Sequence, residues 1–324
     1  MKALKALPGG ALSWSEAPDP VIKENEVLVR TEYAGVNRAD LMQRAGTYPP
    51  PPGWPDWLGL ELSGTVEKAG SAVKRWKPGD RVCGLLGGGA CAEYAAVPQD
   101  MLMPVPKGVT MAQAAGIPET YATGYLNLFI EASLKAGETL LVTGGNSGLA
   151  SAVIPMAKAF GIRVVTTVRG AKKAVAVAGL GADLVVDTTV TPLPDALRAE
   201  AEAGRPVNAA LDCVGGSDVG RSLPHLAFGA RWIVIAALAG NITEIDLRTV
   251  YVKNIRIIGS TLRARTNEMK ASVLAALEQK IFPLMEKGSL VPNIYAEVPV
   301  SEAGYAHSLL ENGVRTGKVV LKIR

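Results

Sequence analysis

The strongest constraint on the fold is a regular alternation of apolar runs and helix-like segments between residues 119 and 262. Six short apolar runs follow one another with room for a helix between them, at residues 139–143, 163–167, 183–187, 209–213, 232–235 and 255–259. Strands that are apolar on both faces and joined by helices belong to a parallel sheet covered on both sides. The pattern therefore predicts an α/β fold with a doubly wound parallel sheet of the Rossmann type.

The rest of the chain differs in composition and in hydrophobic pattern. Residues 1 to about 118 are rich in proline and glycine and contain short alternating runs, at 26–30 and 62–66, that predict strands. The stretch 48–57 holds five prolines, which predicts an extended surface loop. The tail contains a helix-like span at 267–287 and a last strand at 318–323. A chain of 324 residues exceeds one ordinary core, so we expect two domains.

Composition argues against several classes of protein. With 48% hydrophobic and 20% charged residues, the chain is typical of a globular protein. Its apolar runs are far shorter than the roughly 18 residues of a membrane span, and the first 14 residues do not fit a signal peptide. The net charge of +4 is scattered without a basic block, and three cysteines do not make a disulfide framework. We therefore expect a soluble cytoplasmic protein with no nucleic-acid or membrane partner.

The first strand of the alternating region runs directly into a glycine-rich turn that a helix follows, Gly144-Gly-Asn-Ser-Gly-Leu-Ala150. Glycines let the backbone approach a pyrophosphate, and the helix N-terminus supplies N–H groups and a partial positive charge. An ordinary glycine-rich turn is the alternative, but the five further strands favour cofactor binding. The motif thus predicts a dinucleotide site that includes Gly145, Asn146, Ser147, Gly148 and Leu149.

The end of the second strand indicates which dinucleotide is bound. An NAD enzyme places Asp or Glu there to bind the ribose 2′-hydroxyl. Residues 166–173 contain no acid but include Arg169 and Lys173, which could neutralise a 2′-phosphate. The alternative is that both are ordinary solvated cations. The missing acid favours NADPH as the cofactor.

Several segments, in order along the chain, resemble a known family. They are Gly35-Val-Asn-Arg-Ala-Asp40 and its continuation to Tyr48, and residues 59–64, 78–82, 211–216, 262–265 and 317–321. Together they resemble the zinc-free quinone oxidoreductase branch of the medium-chain dehydrogenase/reductase superfamily, especially NADPH:quinone reductases like the tumour-suppressor-inducible quinone oxidoreductase. The resemblance implies a mostly-β, GroES-like catalytic domain of residues 1–118 and 263–324 and a Rossmann NADP-binding domain of residues 119–262. It also implies a homodimer that pairs edge strands at 255–260.

The resemblance assigns roles to individual residues. On the substrate side it implies Asn37, Asp40 and Tyr48, where Tyr48 could stack on a flat acceptor or give a hydrogen bond or proton to its oxyanion. Plain packing of Tyr48 in the proline loop, and a cap or brace formed by Asp40, remain alternatives. The further cofactor contacts that it implies are Thr123, Leu262, Arg263, Arg265 and Lys318. Both arginines are expected near the nicotinamide end, where one contacts the cofactor and the other braces a domain junction.

No metal site is expected. Asn37 and Leu60 match the positions at which zinc-containing relatives carry a Cys and a His ligand, and the cysteine-rich zinc lobe is missing after Val82. Two histidines, His225 and His307, and three cysteines cannot supply the catalytic and structural zinc sites. Without a metal, the task of the protein is to position the nicotinamide and the acceptor.

Three functions therefore remain open. The first is NADPH-dependent reduction of a quinone. The second is reduction of an enone, alkenal or enoyl thioester, and the third is cofactor binding with little turnover, as in crystallin-like relatives. The acceptor depends on loop geometry that one sequence does not reveal.

Overall fold

The computed structural model describes residues 1–313 and 316–324. The chain forms two compact units. The first contains Met1–Ala122, Leu262–Gly313 and Gly317–Arg324, and the second contains Thr123–Thr261. The sequence predicted domain boundaries after residues 118 and 262, whereas the two units divide after Ala122 and Thr261. Residues 314 and 315 of the predicted range 263–324 lie outside the described residues.

The strands and helices have the following bounds. The strands are β1 (Lys2–Ala6), β2 (Leu12–Glu16), β3 (Glu26–Val36), β4 (Glu61–Ala69), β5 (Arg81–Leu85), β6 (Tyr94–Pro98), β7 (Leu102–Pro104), β8 (Thr139–Val142), β9 (Arg163–Val168), β10 (Leu184–Asp187), β11 (Ala209–Asp212), β12 (Arg231–Val234), β13 (Arg256–Gly259), β14 (Ile294–Pro299) and β15 (Lys318–Lys322). The α-helices are α1 (Arg38–Arg44), α2 (Met111–Ala114), α3 (Pro118–Tyr125), α4 (Gly148–Ala159), α5 (Ala171–Val177), α6 (Leu193–Glu202), α7 (Asp218–Ser222), α8 (Leu247–Val252), α9 (Asn267–Lys280), α10 (Phe282–Glu286) and α11 (Ala303–Asn312).

The second unit is built on a parallel sheet of six strands in the order β10-β9-β8-β11-β12-β13. Counted from β8, this is the order 3-2-1-4-5-6 of doubly wound dinucleotide-binding sheets. The order reverses between β8 and β11, and ligands of such sheets bind at that point, outside the carboxyl ends of the strands. The predicted fold class is confirmed.

The inner strands β8, β11 and β12 are mostly apolar because both faces of the sheet are covered there. Successive side chains of a strand point to opposite faces. In β8, Leu140 and Val142 pack with α4 residues such as Val153, whereas Leu141 packs on the other side with Trp232. Burial of one such aliphatic side chain contributes roughly 1.5–3 kcal/mol, so a polar residue at any of these positions would be costly.

The first unit is mostly β, as predicted. Its larger sheet has the order β14-β15-β3-β4-β5-β7, with β6 also paired to β3, and a separate two-stranded sheet joins β1 to β2. The last strand, β15, runs antiparallel to β3 and pairs Val319 with Val36. This pairing brings Lys318 next to the residue that precedes α1, although 281 positions separate the two in sequence.

The predicted span 267–287 is not one helix. The structure contains α9 up to Lys280 and then a separate α10 that starts at Phe282, with Pro283 in its first turn. Proline has no N–H and its ring crowds the carbonyl one turn before it, so a helix starts at proline more easily than it continues through it. Among the described residues, no helix is long and apolar enough to cross a bilayer.

Candidate active site

The glycine turn between β8 and α4 is closed by hydrogen bonds to the second strand. The Gly144 N–H donates to Thr167 Oγ1 at 3.2 Å, and the Gly145 N–H donates to the Thr167 carbonyl at 2.7 Å. A Cβ on Gly145 would lie 2.3 Å from Thr166 Oγ1, and Thr166 is fully buried. Only glycine therefore fits at this position of the turn.

The N-terminus of α4 offers backbone N–H groups on a helix of twelve residues. Ser147 is the N-cap residue, and its Oγ accepts a hydrogen bond from the Ala150 N–H at 3.1 Å. The N–H groups of Gly148 and Leu149 lie in the first turn, where an α-helix provides no acceptor of its own. This turn contains no acidic residue. The arrangement suits a phosphate group.

A cavity of about 150 Å³ lies at the carboxyl ends of the strands, at the reversal point of the sheet. It is lined by Thr143, Gly144, Asn146, Thr167, Val168, Arg169, Lys173, Thr188, Leu193, Asp212, Val214, Gly215, Asp218, Val219 and Trp232. The structure thus brings together three of the predicted cofactor residues, Asn146, Arg169 and Lys173.

Asp212, at the end of β11, is a pocket residue to which the sequence assigned no role. Its side chain is buried, with 1% of the residue exposed. Oδ1 accepts hydrogen bonds from Thr143 Oγ1 at 2.7 Å and the Val214 N–H at 2.8 Å, and Oδ2 accepts from Trp232 Nε1 at 3.0 Å. Asp212, at the end of β11, therefore links Thr143, which follows β8, with Trp232 of β12, and all three residues line the cavity.

A second acid lies beside the predicted phosphate-binding cations. Asp187 ends β10, and its Oδ1 accepts hydrogen bonds from the Gly170 N–H at 2.8 Å and from the N–H and hydroxyl of Thr189. These bonds lower the pKa of Asp187 and keep it ionised. The window 166–173 could not reveal this carboxylate, since it comes from the neighbouring strand. Arg169 is exposed and Lys173 is partly buried.

In the first unit, Asn37 and Asp40 form the capping box of α1. Asp40 Oδ2 accepts from the Asn37 N–H at 2.7 Å, and Oδ1 accepts from the Gly59 N–H at 2.9 Å. Burial raises the pKa of Asp40 to about 6, although these two hydrogen bonds oppose the shift. Asp40 thus has the bracing role that the sequence left open.

Glu61 and Lys318 complete a buried polar cluster around Asn37. Glu61 is fully buried, and its Oε1 accepts from Asn37 Nδ2 at 3.0 Å and pairs with Lys318 Nζ. Lys318 Nζ also donates to Asn37 Oδ1, and a Cβ on Gly35 would lie 2.4 Å from Glu61 Oε1. The Lys318 ammonium therefore binds partners within the first unit, and its expected contact with the cofactor stays a prediction.

Glu119, another residue missed at the sequence level, adds a third carboxylate to this cluster. Its backbone N–H donates to Glu61 Oε2 at 2.8 Å. Burial and the negative charge of Glu61 raise the pKa of Glu119 to about 7, against the opposing effect of Lys318. No motif in the sequence marked Glu119 as a candidate.

We expect Glu119→Gln to stabilise the protein at pH 8 and not at pH 4. The folded-state pKa of Glu119, about 7, exceeds the ordinary 4.5, so its contribution to stability is present below pH 4.5 and is lost as the pH rises through 7. The effect at pH 8 is on the order of 2–3 kcal/mol. Urea unfolding at both pH values measures it, with the exposed Glu24→Gln as control. Equal effects of Glu119→Gln at both pH values would contradict the assignment.

Tyr48 and Arg263, two further predicted site residues of the first unit, contact each other. Arg263 is buried and lies over the Tyr48 ring, with its Cζ 4.8 Å from the ring centroid. Leu262 is buried and accepts a hydrogen bond at its carbonyl from the Arg265 N–H, and the Thr123 carbonyl accepts from Asn127 Nδ2. The cofactor contacts expected of Thr123, Leu262, Arg263 and Arg265 stay predictions.

Asn37 and Leu60, the two residues expected to stand in place of zinc ligands, make other contacts in the structure. The amide of Asn37 is bonded to Glu61 and Lys318, and Leu60 is buried in the core. Within residues 1–313 and 316–324, no three His, Cys, Asp or Glu side chains are grouped so that they could hold a metal ion.

Two stretches of the chain match known domain families. Residues 23–107 match the alcohol dehydrogenase GroES-like domain, and residues 148–279 match the zinc-binding dehydrogenase family. Quinone oxidoreductase-like protein 2 of Mus musculus is 31% identical over 309 residues, which cover 95% of this chain and 87% of the mouse protein.

Solved structures are similar over the same length. The quinone oxidoreductase of Escherichia coli, complexed with NADPH, has a TM-score of 0.86 at 27% identity and covers 99% of each chain. A mycobacterial protein complexed with NADPH has a TM-score of 0.86 at 28% identity and covers 100% of each chain.

Proposed function

The chain belongs to the quinone oxidoreductase branch of the medium-chain dehydrogenase/reductase superfamily, and on that premise we propose that it transfers a hydride from NADPH to a quinone without a metal ion. The observation that carries the proposal is the cavity at the reversal point of the sheet. Gly144 and Asn146 of the glycine turn and two cations, Arg169 and Lys173, line it, and the N-terminus of α4 directly follows this turn.

The residues of this cavity fit NADPH. The turn at Gly145 has no space for a side chain, so its backbone can approach a pyrophosphate, and the Gly148 and Leu149 amides lie at the same helix end. Arg169 and Lys173 line the cavity after the second strand, where a 2′-phosphate requires positive charge. When bound, NADPH supplies the hydride from its nicotinamide ring.

On the acceptor side, Tyr48 is the residue that can act on the reacting oxygen. An oxygen of a quinone gains negative charge as hydride arrives, and a hydrogen-bond donor stabilises that charge. A tyrosine hydroxyl of ordinary pKa keeps its proton at neutral pH, and burial raises the pKa of Tyr48 further, so the hydroxyl is protonated and can donate. Asn37 and Asp40 anchor the start of α1, the helix that leads to Tyr48.

A panel of acceptors tests the proposal. NADPH oxidation is followed with a benzoquinone, a naphthoquinone, a cyclic enone, an alkenal and an enoyl thioester at fixed enzyme concentration. We expect the highest kcat/KM with the quinones. A higher value with the enone, alkenal or thioester would replace quinone reduction by double-bond reduction. NADPH binding without turnover of any acceptor would favour a binding role.

Activity should not depend on a metal, since Asn37 and Leu60 provide no ligand set for zinc. We expect the enzyme, after exhaustive dialysis against a chelator, to keep its kcat/KM for quinones and to contain far less than one zinc per chain by elemental analysis. Activity that is lost on chelation and restored by zinc would refute this prediction.

We propose further that the protein is a homodimer that pairs through β13. This strand ends the parallel sheet, so one of its edges is left without a partner strand in the described residues. Ile257 on β13 is 42% exposed, and Leu247, Tyr251 and Val252 of α8, which precedes it, are 56–74% exposed. A second copy of the chain, related by a two-fold axis, would cover the edge and these apolar side chains together.

Ile257→Lys should convert the dimer to a monomer at micromolar concentration, because it places a charge in the buried centre of the pairing. Light scattering after size exclusion measures the mass. Val21→Lys, an equally drastic change at an exposed residue of the first unit, should leave the dimer intact. A wild type that is monomeric, or a dimer that persists in Ile257→Lys, would rule out pairing at this strand.

A further inference from the structure

The Arg263 guanidinium donates hydrogen bonds to three segments of the first unit. Nε donates to the Gly87 carbonyl at 2.8 Å, Nη1 to the Tyr48 carbonyl at 3.2 Å, and Nη2 to Gln43 Oε1 at 2.9 Å. Only 7% of Arg263 is exposed. A rigid, planar fork of donors is required to reach α1, the proline loop and the turn at Gly87 together.

Gln43, one of these three partners, is itself held in place. Gln43 Nε2 donates to the Asp56 carbonyl at 2.8 Å, so both ends of the loop 48–57 are tied to the same helix residue and its arginine. Lys270 of α9 donates to the Arg263 carbonyl at 2.8 Å and so anchors the backbone of the arginine to this helix.

Two tryptophans of the proline loop, Trp54 and Trp57, contact a run of glycines. A Cβ on Gly87 would lie 2.5 Å from the Trp54 ring, which therefore packs directly on the backbone. Trp57 Nε1 donates to the Gly89 carbonyl at 3.2 Å. The proline loop thus contacts the turn at Gly87, and Arg263 bonds to both that turn and Tyr48, so the position of the Tyr48 ring depends on Arg263.

We propose that Arg263 is a positioning residue for Tyr48: it holds the ring and its loop in the geometry that the acceptor requires, and it is not a ligand of the cofactor. The inference rests on the proposed function, in which Tyr48 acts on the acceptor. The positive charge of Arg263 over the ring also opposes the rise in the pKa of Tyr48 that burial causes, so it strengthens the hydroxyl as a donor.

Lysine cannot replace arginine in this role. It keeps the charge but offers one nitrogen on a flexible stem, so it cannot bond to Gly87, Tyr48 and Gln43 at the same time. In Arg263→Lys we expect kcat/KM for the quinone to fall by roughly tenfold to a hundredfold, as for other small misplacements of a reacting group. The dissociation constant of NADPH, measured by fluorescence titration, should change by less than about twofold.

Hydrogen exchange of the protein without ligands provides a readout that is independent of activity. Peptides that contain residues 48–60 should exchange faster in Arg263→Lys, because the loop loses anchors, whereas peptides of the second unit should not change. Arg324→Ala is the matched control, since Arg324 also lies over a tyrosine ring, Tyr94, at 5.0 Å. It should change neither the exchange of the proline loop nor the kinetics.

A double-mutant cycle separates positioning from an independent effect. If Arg263 acts through Tyr48, then Tyr48→Phe combined with Arg263→Lys should be no slower than the slower single variant. Gln43→Leu removes one partner of the guanidinium without changing Arg263, and it should lower kcat/KM with unchanged NADPH affinity. It serves as the test if Arg263→Lys fails to fold.

Two results would overturn the inference. One is a loss of NADPH affinity in Arg263→Lys as large as the loss of kcat/KM, which would make Arg263 a cofactor ligand. The other is multiplication of the two single effects in the double variant. Failure of the proposed function is distinguishable from failure of this inference, because it appears as a wild type without quinone turnover. In that case the exchange experiment still tests the link between Arg263 and the loop.

Discussion

Gly145→Ala should bind NADPH on the order of a hundredfold more weakly than the wild type. The added Cβ would lie 2.3 Å from Thr166 Oγ1, a contact that real structures do not contain. Thr166 cannot move aside easily, because it is fully buried and its hydroxyl donates to the Val142 carbonyl at 2.8 Å. The turn must shift instead, and the amides at the start of α4 would lose their alignment.

Fluorescence titration with NADPH measures this effect, and thermal unfolding shows whether the variant is folded. Gly179→Ala is the control, because a Cβ at that glycine of the same unit would meet open space. It should bind NADPH as the wild type does. A folded Gly145→Ala with wild-type affinity would mean that the glycine turn is not the pyrophosphate site.

Removal of both cations after the second strand should abolish the preference for NADPH. A charge-assisted hydrogen bond contributes about 1.5–3 kcal/mol, so one cation gives roughly tenfold to a hundredfold discrimination. Arg169→Ala with Lys173→Ala should raise the KM for NADPH by at least this factor and leave that for NADH nearly unchanged. The exposure of Arg169 favours the lower end, and added salt should reduce the preference of the wild type.

Two further variants sharpen this experiment. Lys172→Ala removes an exposed neighbouring cation that does not line the cavity and should have little effect. Asp187→Asn removes the carboxylate beside Gly170 and should increase the preference for NADPH, because a 2′-phosphate is repelled by this charge. Equal weakening of both cofactors in the double variant, or a wild type that prefers NADH, would contradict the assignment.

The sequence by itself determined the features that depend on local periodicity. Apolar runs separated by helices can form only a covered parallel sheet, and the predicted sheet is present with its glycine turn at the reversal point. The alternation of short strands likewise predicted the mostly-β unit, and the family was recognisable from segments in their order along the chain. One local prediction was wrong: residues 267–287 have a continuous helical pattern, but the structure divides them into two helices next to Pro283.

The tertiary structure decided what each polar side chain does. The residues that sequence reasoning missed, among them Glu61, Glu119 and Asp212, have partners on other strands or helices, and the Arg263–Tyr48 contact joins residues 215 positions apart. A local pattern shows which face of an element is apolar, but it does not show which distant donor meets a buried carboxylate. Because a buried polar group must find such a partner to be stable, strand pairing and packing alone determine its role.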